Sequence, residues 1–437
     1  MRLGLGSVST LCVLLAPRVV GALALAAARP RVITDVIHRS ITLHPLCVQI
    51  VDTPEFQRLR GISQLGTVQW VFPCARHDRF QHALGVSHLA SEWARQFQRE
   101  QPELHISDQA RYLVITPSVE EQPELHISDQ EVLCVTVAGL VHDLGHGPFS
   151  HFWEGSFLPA VAAADPSTRA SMPPKHEEIS CRLLDRLLEG IDLSPWLEVP
   201  LHTELIKALV RGEPDAYAPE KSFLFDIVAN PRSGLDVDKI DYYQRDSYYS
   251  GVTKVSFDAV RLMRLARVAE ADGQLQICFP HKCVNEVLRV FSTRFDLHQE
   301  LYQHRVGAAV GYMVRDALQH ASAKLRVVGE DGVLLRLHEC GSLALDGRCE
   351  GYLQLTDAVL ALAEAEARRA AVTEAREGGA MGGAEGAVGD AGAEGDAEEM
   401  RRAGALLQRL QRRDLYRFVG TVQLSPAADG QPTPDVC

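Results

Sequence analysis

Between Val132 and Glu154 the chain reads VLCVTVAGLVHDLGHGPFSHFWE. Val132 to Val141 carry no charge and are apolar on nearly every face, the pattern of a helix buried all round rather than one lying on a surface. That helix runs directly into His142-Asp143, after which Gly145, Gly147 and Pro148 stop it. His146 and His151 follow within the same short span. A buried carboxylate left alone tends to take up a proton, whereas a divalent cation keeps it ionised and accepts a neutral imidazole nitrogen as a further ligand. The stretch therefore fits either a polar helix end with ordinary core histidines or the floor of a metal site. Partners elsewhere in the chain must choose between them.

At 437 residues the chain is long enough for a large core and for more than one domain. Its formal charge of -13 weighs against a polyanionic ligand, but residues 371–400 hold eight acidic residues and one Arg. Basic pockets remain open elsewhere. No Lys/Arg run or basic aromatic stripe supports nucleic-acid binding. The ten cysteines are scattered without a CxxC pair, as in a reducing compartment. Residues 1–30 form a leader with three readings: a signal-peptide-like segment, a mitochondrial transit peptide, or an unusual or mis-assembled first exon. Arg18 interrupts it too early for a membrane span.

Past the leader, Pro54 after Thr53 reads as a helix start with Phe56, Leu59 and Ile62 on one face. ARHDRFQHALGVSHLASEWARQF reads as an amphipathic helix that carries Arg79 and His82, the remote candidate for a further metal ligand. QPELHISDQ occurs at Gln101 and again at Gln122; the first copy and its spacer read as a surface insertion, or as a duplicated exon edge. Helical spacing returns over His176–Leu188 and Leu201–Val210. Gly234 precedes a helix expected to set Asp238, Tyr242 and Arg245 on one face. A long amphipathic helix is expected from His281 to Val314, carrying Arg294, His298, Tyr302 and His304. Residues 371–400, with eight glycines and no aromatic residue, read as disordered, and a helix with a possible strand follows.

LHPLCVQIVDTPEFQRLRGISQLG, VFPCARHDRF, GLVHDLGHGPFSHF, SGLDVDKIDYYQRD and LYQHRVG occur in that order. On these runs, residues Arg31 to Gly420 resemble the SAM- and HD-domain-containing deoxynucleoside triphosphate triphosphohydrolases. The resemblance implies a mainly α HD-domain phosphohydrolase fold with a small partial α+β regulatory lobe. It divides the chain into a catalytic domain at 31–325, the start of a regulatory lobe at 326–370, the disordered acidic segment at 371–400 and a truncated remainder at 401–437.

By the same resemblance His82, His142, Asp143 and Asp238 bind a divalent metal, for which Zn, Fe, Mn and Mg are all admissible with mixed N/O ligands. His146, His151 and His176 are inner histidines. His151 is the candidate proton donor to the leaving 5′ oxygen. Glu154 stands where the family has Asp, one methylene longer and so a looser holder of His151. Arg79, Lys239, Tyr242 and Arg294 face the triphosphate. Gln64, Leu65 and Asp246 meet the sugar 3′-hydroxyl, Tyr302 packs where a 2′-hydroxyl would project, and Gln303 lies beside the base.

GTP and dNTPs are implied as allosteric activators. Arg31, Val32, Asp52, Gln57 and Arg60 match the guanine-specific site, and Val71, Phe72, Arg261, Lys282, Arg305, Arg413 and Arg417 match the adjoining dNTP site. Thr34, Ser40 and Pro280 replace Asn, His and Arg there, so effector control and the family's tetramer are expected to be weak. The SAM domain is absent from this sequence. A nuclear location and a part in antiviral defence are implied, with mitochondrial or cytoplasmic placement as alternatives. The expected reaction is metal-dependent hydrolysis of dNTPs to deoxynucleoside and triphosphate. Two other readings are a nucleotide phosphodiesterase and a weakly active nucleotide-binding interaction protein.

Overall fold

The computed structural model describes residues 29–101, 126–171, 175–252, 254–322, 324–380 and 391–420. A hairpin opens it: β1 (Arg31–Asp35) pairs antiparallel with β2 (Arg39–Leu43), Ile33 opposite Ile41. The Asp35 carboxylate accepts from the Ile37 and His38 amides and fixes the turn. Two further two-stranded sheets occur, β3 (Arg267–Ala271) with β4 (Gln274–Cys278) and β5 (Arg326–Val328) with β6 (Leu334–Arg336). Everything else regular among the described residues is helical, as the sequence led us to expect.

Three helices hold the centre: α1 (Arg79–Glu100), α2 (Asp129–Val141) and α5 (Val237–Ser250). Each starts on a side-chain cap that satisfies an otherwise unpaired amide: Asp78 for α1, Ser128 in a capping box with Glu131 for α2, and Asp236 for α5. α2 is buried from Glu131 to Val141 and packs along α1, which confirms the helix read from its apolar run. Gly85 on α1 faces α5 so closely that a Cβ there would lie 2.0 Å from an Asp241 carboxylate oxygen. A side chain at that position would push α5 and its acidic residues off α1.

Around this centre lie α3 (His176–Leu188), α4 (Leu201–Arg211), α6 (Val284–Leu297) and α7 (Arg305–Ala321). The single long helix expected from His281 to Val314 is interrupted. A π-helical turn at His298–Tyr302 is followed by Gln303 and His304 in non-helical backbone, so α6 and α7 are separate. Extra residues per turn in such a bulge turn side chains off the helical register.

A second departure concerns 371–400. α8 (Val359–Ala380) and α9 (Ala391–Gln411) enter this stretch from both sides, while 381–390 lie outside the described residues. Glycine content alone misled: the Ala, Glu and Arg between the glycines are strong helix formers. Met400, Ala403, Leu407 and Leu410 of α9 are buried, and α9 packs on α7 and α8. No strand follows Gln411 among the described residues. One continuous hydrophobic core runs from Ile41 to Leu410 and does not divide at Leu325.

All eight described cysteines are free. No described helix is long and apolar enough to cross a membrane. The leader and the spacer between the QPELHISDQ copies lie outside the described residues. The end of the second copy supplies the Ser128 cap of α2.

Candidate functional site

His82 on α1, His142 and Asp143 at the end of α2, and Asp238 on α5 meet in the interior. His82 Nε2 lies 3.0 Å from Asp238 Oδ1 and 3.5 Å from Asp143 Oδ2; His142 Nε2 lies 3.6 and 3.4 Å from the same two oxygens. The two imidazoles and Asp238 offer ligand atoms all within 4.8 Å of one another. Each imidazole is also oriented from behind. His82 Nδ1 donates to Asp241 Oδ2 at 2.7 Å and His142 Nδ1 donates to the Gly139 carbonyl at 2.9 Å, so both Nε2 atoms turn inward. His142 Nε2 is buried without a hydrogen-bond partner. A buried acceptor left unmatched beside two carboxylates is what a divalent cation would satisfy, and this donor set fits one.

The electrostatics agree. Burial opposes ionisation of Asp238, but His142 and His82 outweigh it and hold the carboxyl well below the ordinary range. Asp143, despite its burial, is held low by Arg79 and the neighbouring histidines. Burial would lower His82, yet Asp238 and Asp241 raise it to about 10. Without an ion, a proton therefore sits between His82 and Asp238.

Beside this group lies a second. His146 and His176 stack with centroids 3.8 Å apart, and His151 stands edge-on to both. Glu154 reaches His151 Nδ1 at 2.9 Å and His176 Nδ1 at 3.0 Å, so one carboxylate serves two rings. Burial opposes ionisation of Glu154, but hydrogen bonds from His151 and His176 hold it well below the ordinary range. His146 is buried with neither ring nitrogen hydrogen-bonded, although Nε2 lies 3.2 Å from Asp143 Oδ1. Burial, Arg79 and His176 keep it neutral. These four side chains also offer converging donor atoms to a cation. The loop between the groups is tight: a Cβ on Gly145 would lie 2.0 Å from the His176 carbonyl oxygen.

Both groups open on a cavity of about 790 Å³. Of the residues expected around a substrate, Gln64, Leu65, Arg79, Lys239, Tyr242, Asp246 and Tyr302 line it. Arg294 and Gln303 do not. Both are exposed, Arg294 within α6 and Gln303 just past the π-helical turn. Several lining residues are already partnered. Arg79 donates to Ser150 Oγ and Asp143 Oδ2, so it braces the metal-facing carboxylate, and Lys239 is paired with Asp236 at 2.8 Å. Arg245, two turns along α5 from Asp238, is buried between Asp241 and Asp35 and does not line the cavity. Asp246 accepts from Tyr302 Oη and contacts His77 Nε2, both at 2.7 Å.

Sequence reasoning missed His77, Ser150 and Asp241 as supports of the site. Asp241 sits three residues past Asp238, one turn along the same helix, and that spacing could have flagged it. His77 and Ser150 lie in loops, where no periodicity points inward.

The residues expected to bind effectors fall in two places. Arg31, Asp52, Gln57 and Arg60 line a separate cavity of about 420 Å³, while Val32 is exposed outside it. Arg31 pairs with Asp52 through both terminal guanidinium nitrogens, and Arg60 donates to Gln57 and covers the Phe80 ring. Of the other set, Phe72 meets His304 edge-on, Arg413 donates to the Trp70 carbonyl, and Arg261 lies 3.9 Å from Glu286. Lys282, Arg305 and Arg417 are exposed and Val71 half-buried.

Residues 79–246 match the HD domain family. The chain is 36% identical over 409 residues to the deoxynucleoside triphosphate triphosphohydrolase SAMHD1 of Gallus gallus, covering 90% of this chain and 56% of that protein. It is 38% identical over 343 residues to SAMHD1 of Homo sapiens, covering 75% and 49%. With the SAMHD1 homolog of Dictyostelium discoideum it is 36% identical over 298 residues, covering 68% and 50%. The chain thus spans about half the length of the relatives it matches.

Proposed function

Since the chain carries an HD domain and is related over most of its length to the SAMHD1 deoxynucleoside triphosphate triphosphohydrolases, we propose that it hydrolyses dNTPs to deoxynucleoside and triphosphate. The observation that carries this reading is the buried convergence of His82, His142, Asp143 and Asp238 at the edge of a cavity large enough for a nucleotide. Those four residues would hold a divalent ion, which when bound polarises a phosphoryl oxygen and eases deprotonation of water.

The chain's own residues divide the remaining work. Asp241 and the Gly139 carbonyl keep His82 and His142 in the tautomer that ligates. Arg79 keeps Asp143 ionised and fixed. In the reaction, water oxygen bonds to the α-phosphorus as the bond from that phosphorus to the 5′ oxygen breaks. The 5′ oxygen takes a proton from His151, whose Nδ1 is held by Glu154 so that Nε2 is the donating atom. Tyr302, locked to Asp246, presents a fixed ring to the sugar and disfavours a 2′-hydroxyl.

The cavity around Arg31, Asp52, Gln57 and Arg60 supports GTP or dNTP binding as an activator, with an Arg–carboxylate pair available to a guanine edge. Nuclear placement extends the same reading, with assembly beyond monomers or dimers expected to be weak.

Purified, metal-loaded protein incubated with dGTP or GTP tests it, with products resolved by chromatography. Deoxyguanosine and triphosphate from dGTP, with GTP spared, is the expected result. Release of dGMP would favour a phosphodiesterase, and binding without turnover an interaction protein.

A further inference from the structure

The loop between His146 and His151 is held by a part of the chain some two hundred residues later. Phe149 and Ser150 are both left-handed, with φ of 59° and 61°. This conformation is unfavourable for residues with a Cβ and persists only where surroundings enforce it. Ser150 Oγ donates to the Ser63 carbonyl at 2.6 Å while accepting from Arg79 Nε at 2.7 Å. The strained pair thus tethers both His151, the next residue, and the arginine that braces Asp143.

The enforcement comes from Asp357. One carboxylate oxygen accepts from the Phe149 amide at 2.6 Å, and the other accepts from the Ser63 amide at 2.9 Å. Its own amide donates to the Gly61 carbonyl at 2.9 Å. A single carboxylate therefore clips the strained turn to the strip that leads into Gln64 and Leu65.

Neighbouring groups fix where Asp357 stands. Buried Arg58 donates to the carbonyls of Leu355, Leu144 and His146, and Tyr352 Oη donates to the Gly145 carbonyl at 2.6 Å. Thr356 packs so near Gly61 that a Cβ there would lie 3.0 Å from it.

We propose that Asp357 is a positioning residue for catalysis: by bridging the Phe149 and Ser63 amides it sets His151 and the Gln64–Leu65 strip at their working separation. This rests on the hydrolase reading above. Asp357 does not itself line the cavity and makes no hydrogen bond to the metal-facing carboxylates; it reaches the site through the Phe149 amide, so its effect must pass through the turn.

The test is dGTP hydrolysis by Asp357→Asn, Asp357→Glu and Thr356→Val beside the parent protein, with metal content and thermal unfolding measured on each. Asparagine must turn an N–H toward one of the two amides, so Asp357→Asn should lower kcat about ten- to a hundredfold, the effect of losing one charged hydrogen bond. KM should stay within about twofold, with metal content unchanged. Asp357→Glu, which keeps the charge, should recover part of kcat. Thr356→Val, a near-isosteric change in the same turn, should match the parent. An unchanged kcat in Asp357→Asn overturns the proposal. So does a loss that merely follows the fraction of folded or metal-loaded protein, or a variant that cannot fold, since either puts the residue in the framework alone. If the parent itself releases no triphosphate, the hydrolase reading fails instead.

Discussion

The metal-facing group and the effector-facing residues differ in how the fold treats them. His82, His142, Asp143 and Asp238 come from three helices locked by core packing, and three of the four side chains are held from behind, His82 by Asp241, His142 by the Gly139 carbonyl and Asp143 by Arg79. Arg31 and Asp52 sit at the surface, with side chains 46% and 51% exposed, and satisfy each other. In the first region, removing one partner strands a buried charge or an open coordination position. In the second, solvent fills the gap. The comparison teaches that a resemblance in sequence fixes geometry firmly where burial enforces it and loosely where water can substitute.

The sharpest way to break this contrast is at the ligands. His142→Ala and Asp143→Ala should each abolish turnover and bound metal together. Asp143→Ala should also cost about 3–5 kcal/mol of stability because it leaves Arg79 buried and unpaired. His142→Ala should leave the unfolding temperature of the metal-free protein nearly unchanged. Retained metal in either variant contradicts the ligand assignment.

One step back from the ion, Asp241→Asn should weaken metal binding about 10–100-fold, read by competition with a chelator. The metal-free site should also release a proton as it loads. His82, raised to about 10 by Asp238 and Asp241 against its burial, is protonated at neutral pH. Metal affinity must then fall as pH falls, and a flat profile between pH values of about 6 and 8 would show that the proton sits elsewhere.

Smaller again is the effect at the sugar: Tyr302→Ala should raise kcat/KM for GTP relative to dGTP by about tenfold. If the parent already treats the two alike, Tyr302 does not select the sugar. The mildest change should be Asp52→Ala. An exposed pair contributes about 0–1 kcal/mol, so unfolding should barely move while any response to GTP is lost. Light scattering with GTP and dNTPs present should show monomers or dimers predominating, since the resemblance leads one to expect His and Arg where this chain has Ser40 and Pro280. A stable nucleotide-induced tetramer would mean those contacts are replaced.

Much of this was legible in the chain because burial writes a strong pattern. The apolar run Val132–Val141 announced α2, and the His142-Asp143 step at its end announced where the chemistry begins. Elements defined by local geometry were harder. The π-helical turn at His298–Tyr302 leaves no periodic signature, so the helix expected from His281 to Val314 was read as unbroken; Arg294 and Gln303, assigned to the substrate by resemblance, do not line the cavity. The parts of α8 and α9 that lie within 371–400 were hidden by glycine content, although Met400 keeps a helical spacing with Leu407 and Leu410 of the helix expected just beyond. Asp357 was invisible for a different reason: its importance lies in two amides more than two hundred residues upstream, and no local pattern encodes that distance.

The central claim is that the buried His-Asp group directs water to the α-phosphorus of a dNTP. Hydrolysis of dGTP by the metal-loaded protein in water enriched in heavy oxygen, with both products weighed by mass spectrometry, tests it most directly. The account predicts triphosphate carrying one heavy oxygen and unlabelled deoxyguanosine. Label in the deoxyguanosine, or dGMP in place of triphosphate, would contradict it.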